Sequence, residues 1–371
     1  MMLTRRTLVW TLLGASASGV AWRARTLLVW HPEASRLQVT SIVDFERELA
    51  GMRDPLDIPG MSAAIAEGGK IVWARGFGLS DRERAIPAGP DSIYHLASVT
   101  KPYAAVVVLQ LVDEGKLDLN QPVSNFGINI GEGVCVWHLL SHTSTKTPGT
   151  VFRYDGNAFG HLTRIVEQAA GRPFTAELTD RIIRRLGLKH TAPNPHRVDA
   201  APPDDPGHRT FELSGVDRAS IEAALVTGYG RSSVTGTLGP MSHSTYLFAS
   251  AGLVASAPDV ARFSLALDRG DLLKDSTRAR AFSQVAAPSG ETFPYGLGWF
   301  VQTHREMKVV WHFGQAHESS SLLVKIPAKQ LTFVALANSD GLSRRRRLGD
   351  HADLERSPVA MLFLNWAARR R

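Results

Sequence analysis

The chain has 371 residues, of which 44% are hydrophobic and 21% are charged. This composition excludes an intrinsically disordered chain, and the length suffices for one large core or two subdomains. A single cysteine, Cys135, excludes an intrachain disulfide and any metal site built from several cysteines. The formal charge of +7 includes the run 344–347 but no basic stripe interleaved with aromatic residues, so no nucleic-acid partner is expected.

The N-terminal segment has the order of residues that is typical of a twin-arginine export signal. Arg5 and Arg6 precede the apolar stretch 8–13 and the small residues 14–18. The sequence therefore predicts an export signal or an N-terminal anchor at 1–22 and a periplasmic or extracellular protein. The apolar stretch is short for a membrane span, so an anchor is the alternative to a cleaved signal. Contact with a membrane is expected only if the segment stays uncleaved.

Short β-rich runs and turn residues predict strands near both ends of the chain. A helix near 43–52 precedes a hairpin of strands 61–67 and 70–78, whose turn is made by Gly68 and Gly69. Helices are predicted between the two strand sets, at 98–115, 158–171, 174–186 and 258–269, with an exposed loop at 193–207. A second set of strands is predicted at 309–313, 320–326 and 331–337, followed by a helix after Pro358.

This order of elements predicts an α+β fold. Residues 38–97 and 291–371 form the part with the sheet, an antiparallel sheet flanked by helices, and residues 98–290 form an inserted, mostly helical part. A functional site is expected between the two parts.

Ser98 and Lys101 form the only S-x-x-K pattern in the chain. They lie at the start of a predicted buried helix, where residues i and i+3 share one face. Burial lowers the pKa of a lysine, which can then accept the proton of a nearby serine. Pro102 favours a helix start at this point, so that Ser98 lies at the positive end of the helix. The alternative is an ordinary capping serine followed by a helical lysine.

The surrounding sequence resembles a known family. The segments 93–103, 108–119 and 137–144 are similar to the serine β-lactamase-related hydrolases, of the class C β-lactamase and penicillin-binding esterase type, and the resemblance extends from Met61 to Asn338. It implies the β-lactamase/transpeptidase-like fold. It also implies a cofactor-free serine hydrolase that acts through an acyl-enzyme on Ser98, with Lys101 as the base.

The resemblance implies two further motifs. The family's Y-x-N motif aligns with residues 148–157, where Tyr154 fits the proton-relaying tyrosine. Asn157 lies one residue too late for the asparagine that contacts the substrate acyl amide, and Gly156 occupies that position. It is kept as a candidate for that contact.

The third motif, K-T-G or H-[ST]-G, aligns with residues 311–315. His312 replaces the lysine and is expected to contact the substrate, the alternative being a structural histidine. Gly314 lets the substrate approach the strand, and the Gln315 N–H would join that of Ser98 in an oxyanion hole. Phe313 replaces the hydroxyl residue that would help bind a carboxylate. This change favours an apolar ester or acyl substrate over a β-lactam.

Two further segments match the family and are expected to shape the cleft wall: 250–256, which precedes Asp259, and 295–299. His138 and His142 have the spacing of a zinc pair, but they belong to a structural segment of the family, and no metal site is predicted.

The sequence thus predicts a hydrolase of small-molecule carboxylic esters, amides or peptides. A β-lactamase or D-amino-acid peptidase is the alternative activity, and a non-catalytic binding or regulatory pseudoenzyme is the alternative of another class. The oligomeric state cannot be predicted from the sequence.

Overall fold

A computed structural model describes residues 39–195, 216–243, 246–344, 346 and 348–370. The predicted signal or anchor at 1–22 and most of the predicted loop at 193–207 lie outside these residues. In the described part of the chain, no helix combines the length and the apolar character that a membrane crossing requires.

Seven antiparallel strands form the main sheet, in the order β3-β2-β1-β12-β11-β10-β9. Strands from both ends of the chain meet where β1 pairs with β12. The strands are β1 (Gly60–Glu67), β2 (Lys70–Asp81), β3 (Ile86–Pro87), β9 (Phe300–His304), β10 (Met307–Gln315), β11 (Ser320–Ile326) and β12 (Leu331–Ala337).

Two small sheets lie apart from the main one. The first has the order β4-β8-β5, and the second is the hairpin of β6 and β7. Their bounds are β4 (Tyr94–His95), β5 (Thr191–Pro193), β6 (Gly228–Arg231), β7 (Leu238–Met241) and β8 (Leu253–Ala255).

The α-helices of the described residues lie on both faces of the main sheet and between the strand sets. They are α1 (Ile42–Met52), α2 (Thr100–Asp113), α3 (Val136–Leu140), α4 (Gly156–Gly160), α5 (Leu162–Ala170), α6 (Phe174–Leu178), α7 (Arg218–Ala224), α8 (Ala257–Asp268), α9 (Asp275–Ala281), α10 (Leu348–His351) and α11 (Pro358–Ala368).

Shorter helical turns connect these elements. A π-helical turn, Thr179–Arg184, follows α6. The 3₁₀ turns are Ala97–Val99, Val123–Phe126, Pro327–Lys329, Asp340–Leu342 and Leu354–Arg356.

Side-chain alternation along the strands of the main sheet divides the core around it into two clusters, and a small third cluster contains Ile93 and Val254 of the remaining chain. On one face, Val310 and Leu323 pack in the cluster that contains α2 and α8. On the other face, Trp311 and Leu322 pack with the apolar side chains of α1 and α11, at the two ends of the described chain. Helices thus cover both faces of the main sheet, which explains why its strands are apolar runs in the sequence.

Helix α2 is buried on all sides, since every residue from Thr100 to Leu111 is buried. An apolar helix without a polar face is typical of a core helix. Pro102 lies in its first turn, where the missing N–H has no intrahelical partner. The helix therefore holds its N-terminal residues in fixed positions against the sheet.

Two predicted helices differ from the structure. The helix predicted at 158–171 is two helices, α4 and α5, and α4 begins earlier because the Asp155 side chain accepts hydrogen bonds from two backbone amides of its first turn. The helix predicted at 174–186 is α6 followed by the π-helical turn.

The structure confirms the predicted α+β class and the antiparallel sheet made from both chain ends. Between β4 and β9 the described chain consists of helices, short strands and long connecting loops. The division into two parts at residues 97 and 290 stays a prediction, because one hydrophobic cluster joins Val310 of the sheet to Leu162 of the helical part.

Candidate active site

Ser98 and Lys101 lie in direct contact where the chain enters α2. Ser98 is half-buried in the 3₁₀ turn before the helix, and Lys101 is buried one turn later. The Lys101 Nζ lies 2.9 Å from the Ser98 Oγ and donates a second hydrogen bond of 2.9 Å to the Ser250 carbonyl oxygen. The i, i+3 spacing thus produces the pair that the sequence predicts.

The surroundings of Lys101 disfavour its charged form. Burial lowers the pKa of Lys101 to about 7, and the negative charge of Asp155 opposes part of this change. The aromatic rings of Tyr154 and Phe159 lie 5.1 and 5.5 Å from its Nζ. A lysine with a pKa near 7 carries a neutral amine in a large fraction of molecules at neutral pH, which is the form that accepts a proton.

Tyr154 lies beside this pair. Its ring contacts the Lys101 amine, and its hydroxyl is buried with no well-directed hydrogen bond to a described residue. Burial raises the pKa of Tyr154, and an interaction with Ser98 opposes part of the rise. A protonated phenol at this place can donate a proton to a leaving group beside Ser98.

Asn157 lies apart from these groups. It is exposed in the first turn of α4, where its backbone N–H donates to the Asp155 carboxylate. It is absent from the residues that line the cavity beside Ser98.

Strand β10 passes close to the backbone of Ser98. A Cβ atom at Gly314 would lie 2.2 Å from the Leu96 carbonyl oxygen and 3.1 Å from the Ser98 nitrogen, so only glycine fits there. Ser321 on the neighbouring strand donates a hydrogen bond of 2.6 Å to the same Leu96 oxygen. This approach brings the end of β10, where Gln315 lies, next to the turn that carries the nucleophile.

The backbone just before Ser98 is strained. Ala97 has a φ of 44°, in the left-handed region that residues other than glycine rarely adopt. Such strain costs on the order of 1–3 kcal/mol and is common at functional sites. The surrounding packing therefore holds the turn in the conformation that exposes Ser98.

His312 does not line the cavity. Its ring is fully buried, with Nδ1 2.7 Å from the Phe313 carbonyl oxygen and Nε2 2.9 Å from the Tyr295 hydroxyl. Because a carbonyl only accepts, Nδ1 donates, and Nε2 accepts from Tyr295. Burial, aided by the nearby Lys101, holds the pKa of His312 well below its usual range. A neutral histidine with both nitrogens in use supports the strand.

Phe313 does line the cavity, at the end of β10. Its ring centroid lies 5.4 Å from that of Tyr154. Helix α10 covers the pair, since a Cβ atom at Gly349 would lie 2.9 Å from the Phe313 ring. An apolar wall therefore stands where the family pattern has a hydroxyl.

A cavity of about 650 Å³ opens at Ser98. Of the predicted site residues, Ser98, Tyr154, Phe313 and Gln315 line it. Sequence reasoning missed further lining residues, which come from the end of β7, the loop after it and the turn after β10, among them Met241, His243, Tyr246, His317 and Glu318. No local motif marks them, because they are distant from Ser98 in the sequence.

Two segments that match the family each place one hydrogen-bonding group beside the site residues. The 250–256 segment supplies the Ser250 carbonyl that binds Lys101, and the 295–299 segment supplies the Tyr295 hydroxyl that binds His312. The two histidines with zinc-pair spacing accept backbone hydrogen bonds at Nδ1, His138 from Cys135 and His142 from Asp155.

The chain is similar in sequence to known proteins. The family model described as Beta-lactamase matches residues 45–356. "Protein flp" from Staphylococcus aureus is 24% identical over 346 residues, which cover 82% of this chain and 63% of that protein. "Esterase EstB" from Burkholderia gladioli is 28% identical over 294 residues, which cover 65% of this chain and 73% of the esterase.

The fold is also similar to solved structures. The octameric penicillin-binding protein homologue from Pyrococcus abyssi superposes with a TM-score of 0.73 at 22% identity, covering 90% of this chain and 78% of that one. This likeness confirms the predicted β-lactamase/transpeptidase-like fold.

The chain belongs to the Beta-lactamase family. This is the family of serine hydrolases that the sequence around its S-x-x-K motif resembles.

Proposed function

We propose that the protein is a serine hydrolase that cleaves carboxylic esters or amides through a covalent acyl-enzyme on Ser98. The observation that carries this proposal is the 2.9 Å contact between the Ser98 Oγ and the amine of Lys101, a buried lysine whose pKa is about 7. Ser98 lines an open cavity that can admit a small molecule.

The proposed reaction has two stages. In the first, the Ser98 Oγ attacks the substrate carbonyl carbon while the neutral Lys101 amine takes the hydroxyl proton. Backbone N–H groups of Ser98 and Gln315 stabilise the oxyanion. The bond to the leaving group then breaks, and the leaving group takes a proton from Tyr154, which Lys101 replaces.

In the second stage, a water molecule attacks the acyl-enzyme carbonyl. The water loses its proton to the Lys101 and Tyr154 pair, and the Ser98 oxygen leaves as a hydroxyl. The products are a carboxylic acid and the free enzyme, and no cofactor is needed.

The apolar wall favours an ester as the preferred substrate. Phe313 lines the cavity beside Tyr154, and Met241 and Tyr246 extend the apolar lining. A phenyl ring offers no hydrogen bond to the carboxylate of a β-lactam or peptide. The relative EstB is named as an esterase, which supports the same choice.

Intact-mass measurement after reaction with a fluorophosphonate tests the proposal. The wild type should gain one adduct and hydrolyse p-nitrophenyl esters, and Ser98→Ala should lose both the adduct and turnover. Ser242→Ala is the matched control, because this serine lines the same cavity and should leave the label in place.

Two results would contradict the proposal. Labelling that persists in Ser98→Ala would move the nucleophile elsewhere. A folded wild type with neither adduct nor turnover would favour a binding or regulatory pseudoenzyme. Incubation with a penicillin, together with nitrocefin turnover, separates the β-lactamase or D-amino-acid peptidase alternative from the ester preference.

We also propose that residues 1–22 direct export, on the basis of Arg5, Arg6 and the apolar stretch that follows. A fusion of residues 1–38 to a reporter that is active only after export should be exported, and the double change Arg5→Lys and Arg6→Lys should stop it. Arg23→Lys is the control. Export that is unaffected by the double change would argue against a twin-arginine signal.

A further inference from the structure

Three metal-ligating side chains converge on the wall of the cavity, away from the Ser98 and Lys101 contact. They are His95 of β4, His243 after β7 and Glu318 after β10. Their ligand atoms all lie within 4.8 Å of one another. His95 and Glu318 are buried, and His243 and Glu318 line the cavity. We propose that these three residues form a binding site for a divalent transition-metal ion of the zinc type.

The donor set fits such an ion. Two imidazole nitrogens and one carboxylate are a common zinc ligand set, and they bind at about 2.0–2.2 Å from the ion. In a tetrahedral site the ligand atoms are about 3.4 Å apart, so each of the three atoms has to move inward by up to about 1 Å to complete the geometry. Side-chain rotation alone can supply a movement of this size.

The hydrogen bonding of His243 prepares one ligand. Its Nε2 lies 2.8 Å from the Val226 carbonyl oxygen, which can only accept, so Nε2 carries the proton and Nδ1 carries the lone pair. Metal-binding histidines commonly donate their other ring N–H to a backbone carbonyl in this way, which fixes the tautomer and orients the ring. The His95 ring stacks against this ring, with 4.4 Å between centroids and 21° between the planes, so one of the two rings has to turn before both can bind one ion in their ring planes.

The backbone leaves room for the three side chains at Gly228. A Cβ atom there would lie 2.8 Å from the Glu318 Cβ and 3.0 Å from the His243 Cε1. Any larger residue at position 228 would push Glu318 and His243 away from their present positions. The glycine therefore permits the close approach on which the site depends.

A three-ligand site leaves a fourth position for water or for a bound molecule. Because two of the ligands line the cavity that contains Ser98, that position is open to a carbonyl or carboxylate oxygen in the cavity. The metal site is independent of the serine chemistry, since neither Ser98 nor Lys101 is a ligand. The Ser98→Ala variant should accordingly bind the ion as well as the wild type does.

Metal binding by the purified full chain tests the proposal without any measurement of activity. After removal of adventitious metal with a chelator, Zn²⁺ titration by calorimetry should give one site per chain. Co²⁺ should give the visible absorption bands of a tetrahedral or five-coordinate site, and Zn²⁺ should displace it. Glu318→Gln and His243→Ala should each weaken Zn²⁺ binding at least about tenfold.

His190→Asn is the matched control, because His190 faces a single carboxylate, Asp91, at 3.6 Å in an exposed pair. It should bind Zn²⁺ as the wild type does. Circular dichroism shows whether each variant is folded, and the wild-type titration alone decides the matter if a variant does not fold. No saturable binding to the wild type, or equal binding by the folded Glu318→Gln variant, would overturn the metal site.

Discussion

Two lysines are buried in the part of the chain that the structure describes, and their surroundings differ in kind. Lys101 and Lys325 have exposed fractions of 1% and 0%. Burial lowers the pKa of both, because the charged form loses its hydration. Only one of them lies beside a cavity and a serine hydroxyl that can react.

The difference lies in the partners of the amine. The Lys325 Nζ donates to the Asp268 carboxylate at 2.9 Å and to the Ser264 hydroxyl at 2.5 Å, so a negative charge and hydrogen bonds hold its charged form. Lys101 has no ion pair among the residues that the structure describes, and its partners are a hydroxyl and a carbonyl oxygen. Burial without a directly bound carboxylate is thus what makes a lysine available as a base.

Of the changes that test this difference between the two lysines, Lys101→Arg should have the largest effect on kcat/KM. Arginine remains charged at all working pH values and cannot accept the serine proton, so kcat/KM for an activated ester should fall about 10²- to 10⁴-fold. Lys325→Met should leave kcat/KM nearly unchanged while lowering the free energy of unfolding by about 1–3 kcal/mol, because it leaves Asp268 without its buried partner.

Steady-state kinetics and chemical unfolding of both variants check this pair of outcomes. A Lys101→Arg enzyme within about tenfold of the wild type would contradict the role of Lys101 as the base. A Lys325→Met enzyme with a similar loss of kcat/KM would remove the distinction between the two lysines.

The next effect concerns the cavity wall beside Tyr154, where Phe313 lies. Phe313→Thr should narrow the preference for p-nitrophenyl esters over nitrocefin by about tenfold to a hundredfold, because a hydrogen bond to a charged carboxylate contributes about 1.5–3 kcal/mol. Phe313 lines the cavity, so a hydroxyl at this position can reach a bound molecule.

The ratio of the two kcat/KM values, measured in the wild type and in Phe313→Thr, checks this. Phe313→Leu is the control, because it removes the ring without adding a hydroxyl. A wild type that hydrolyses nitrocefin faster than every simple ester would replace the ester preference with the β-lactamase alternative.

A smaller effect is expected from the charge near Lys101. If the neutral amine is the base, kcat/KM is low below the pKa of Lys101 and rises with pH through about 7 to a plateau. The Asp155 charge raises that pKa, so Asp155→Asn should move the rise to lower pH, by up to about one pH unit. Asparagine also caps helices, so α4 should remain intact.

Asp271→Asn removes a carboxylate that pairs with Arg269 in an exposed salt bridge, and it serves as the control. The pH dependence of kcat/KM for an ester, measured for both variants, should show a shift only for Asp155→Asn. A shift to higher pH would mean that another group controls the rise.

The nucleophile and base could be predicted from the sequence because their contact is local. Three residues along one helical turn bring Ser98 and Lys101 together whatever the rest of the chain does. The strand that carries Gly314 was also predictable, since its apolar run and glycine mark it. The position of Ser321, whose hydroxyl binds the Leu96 carbonyl beside Gly314, could not be predicted, because it depends on the register of β11 against β10.

The remaining cavity wall could not be predicted in this way. His95, His243 and Glu318 are more than 70 residues apart in sequence, and only the folded chain brings their ligand atoms within 4.8 Å. For His312, a local motif was present but gave the wrong role. Its motif suggested a contact with substrate, whereas the structure uses both of its ring nitrogens for Tyr295 and the backbone. A motif locates a residue on a strand, and its partners decide what it can bind.

The smallest effect is expected at Asn157, which the sequence aligns, one residue late, with the asparagine of the second motif. Its side chain is exposed and does not line the cavity, and only its backbone N–H binds Asp155. Asn157→Ala should therefore keep kcat/KM for esters within about twofold and the free energy of unfolding within about 0.5 kcal/mol. Kinetics with matched ester and amide substrates check this. A loss of tenfold or more for the amide alone would show that Asn157 contacts the acyl amide during turnover, and the described position of α4 would then have to change when substrate binds.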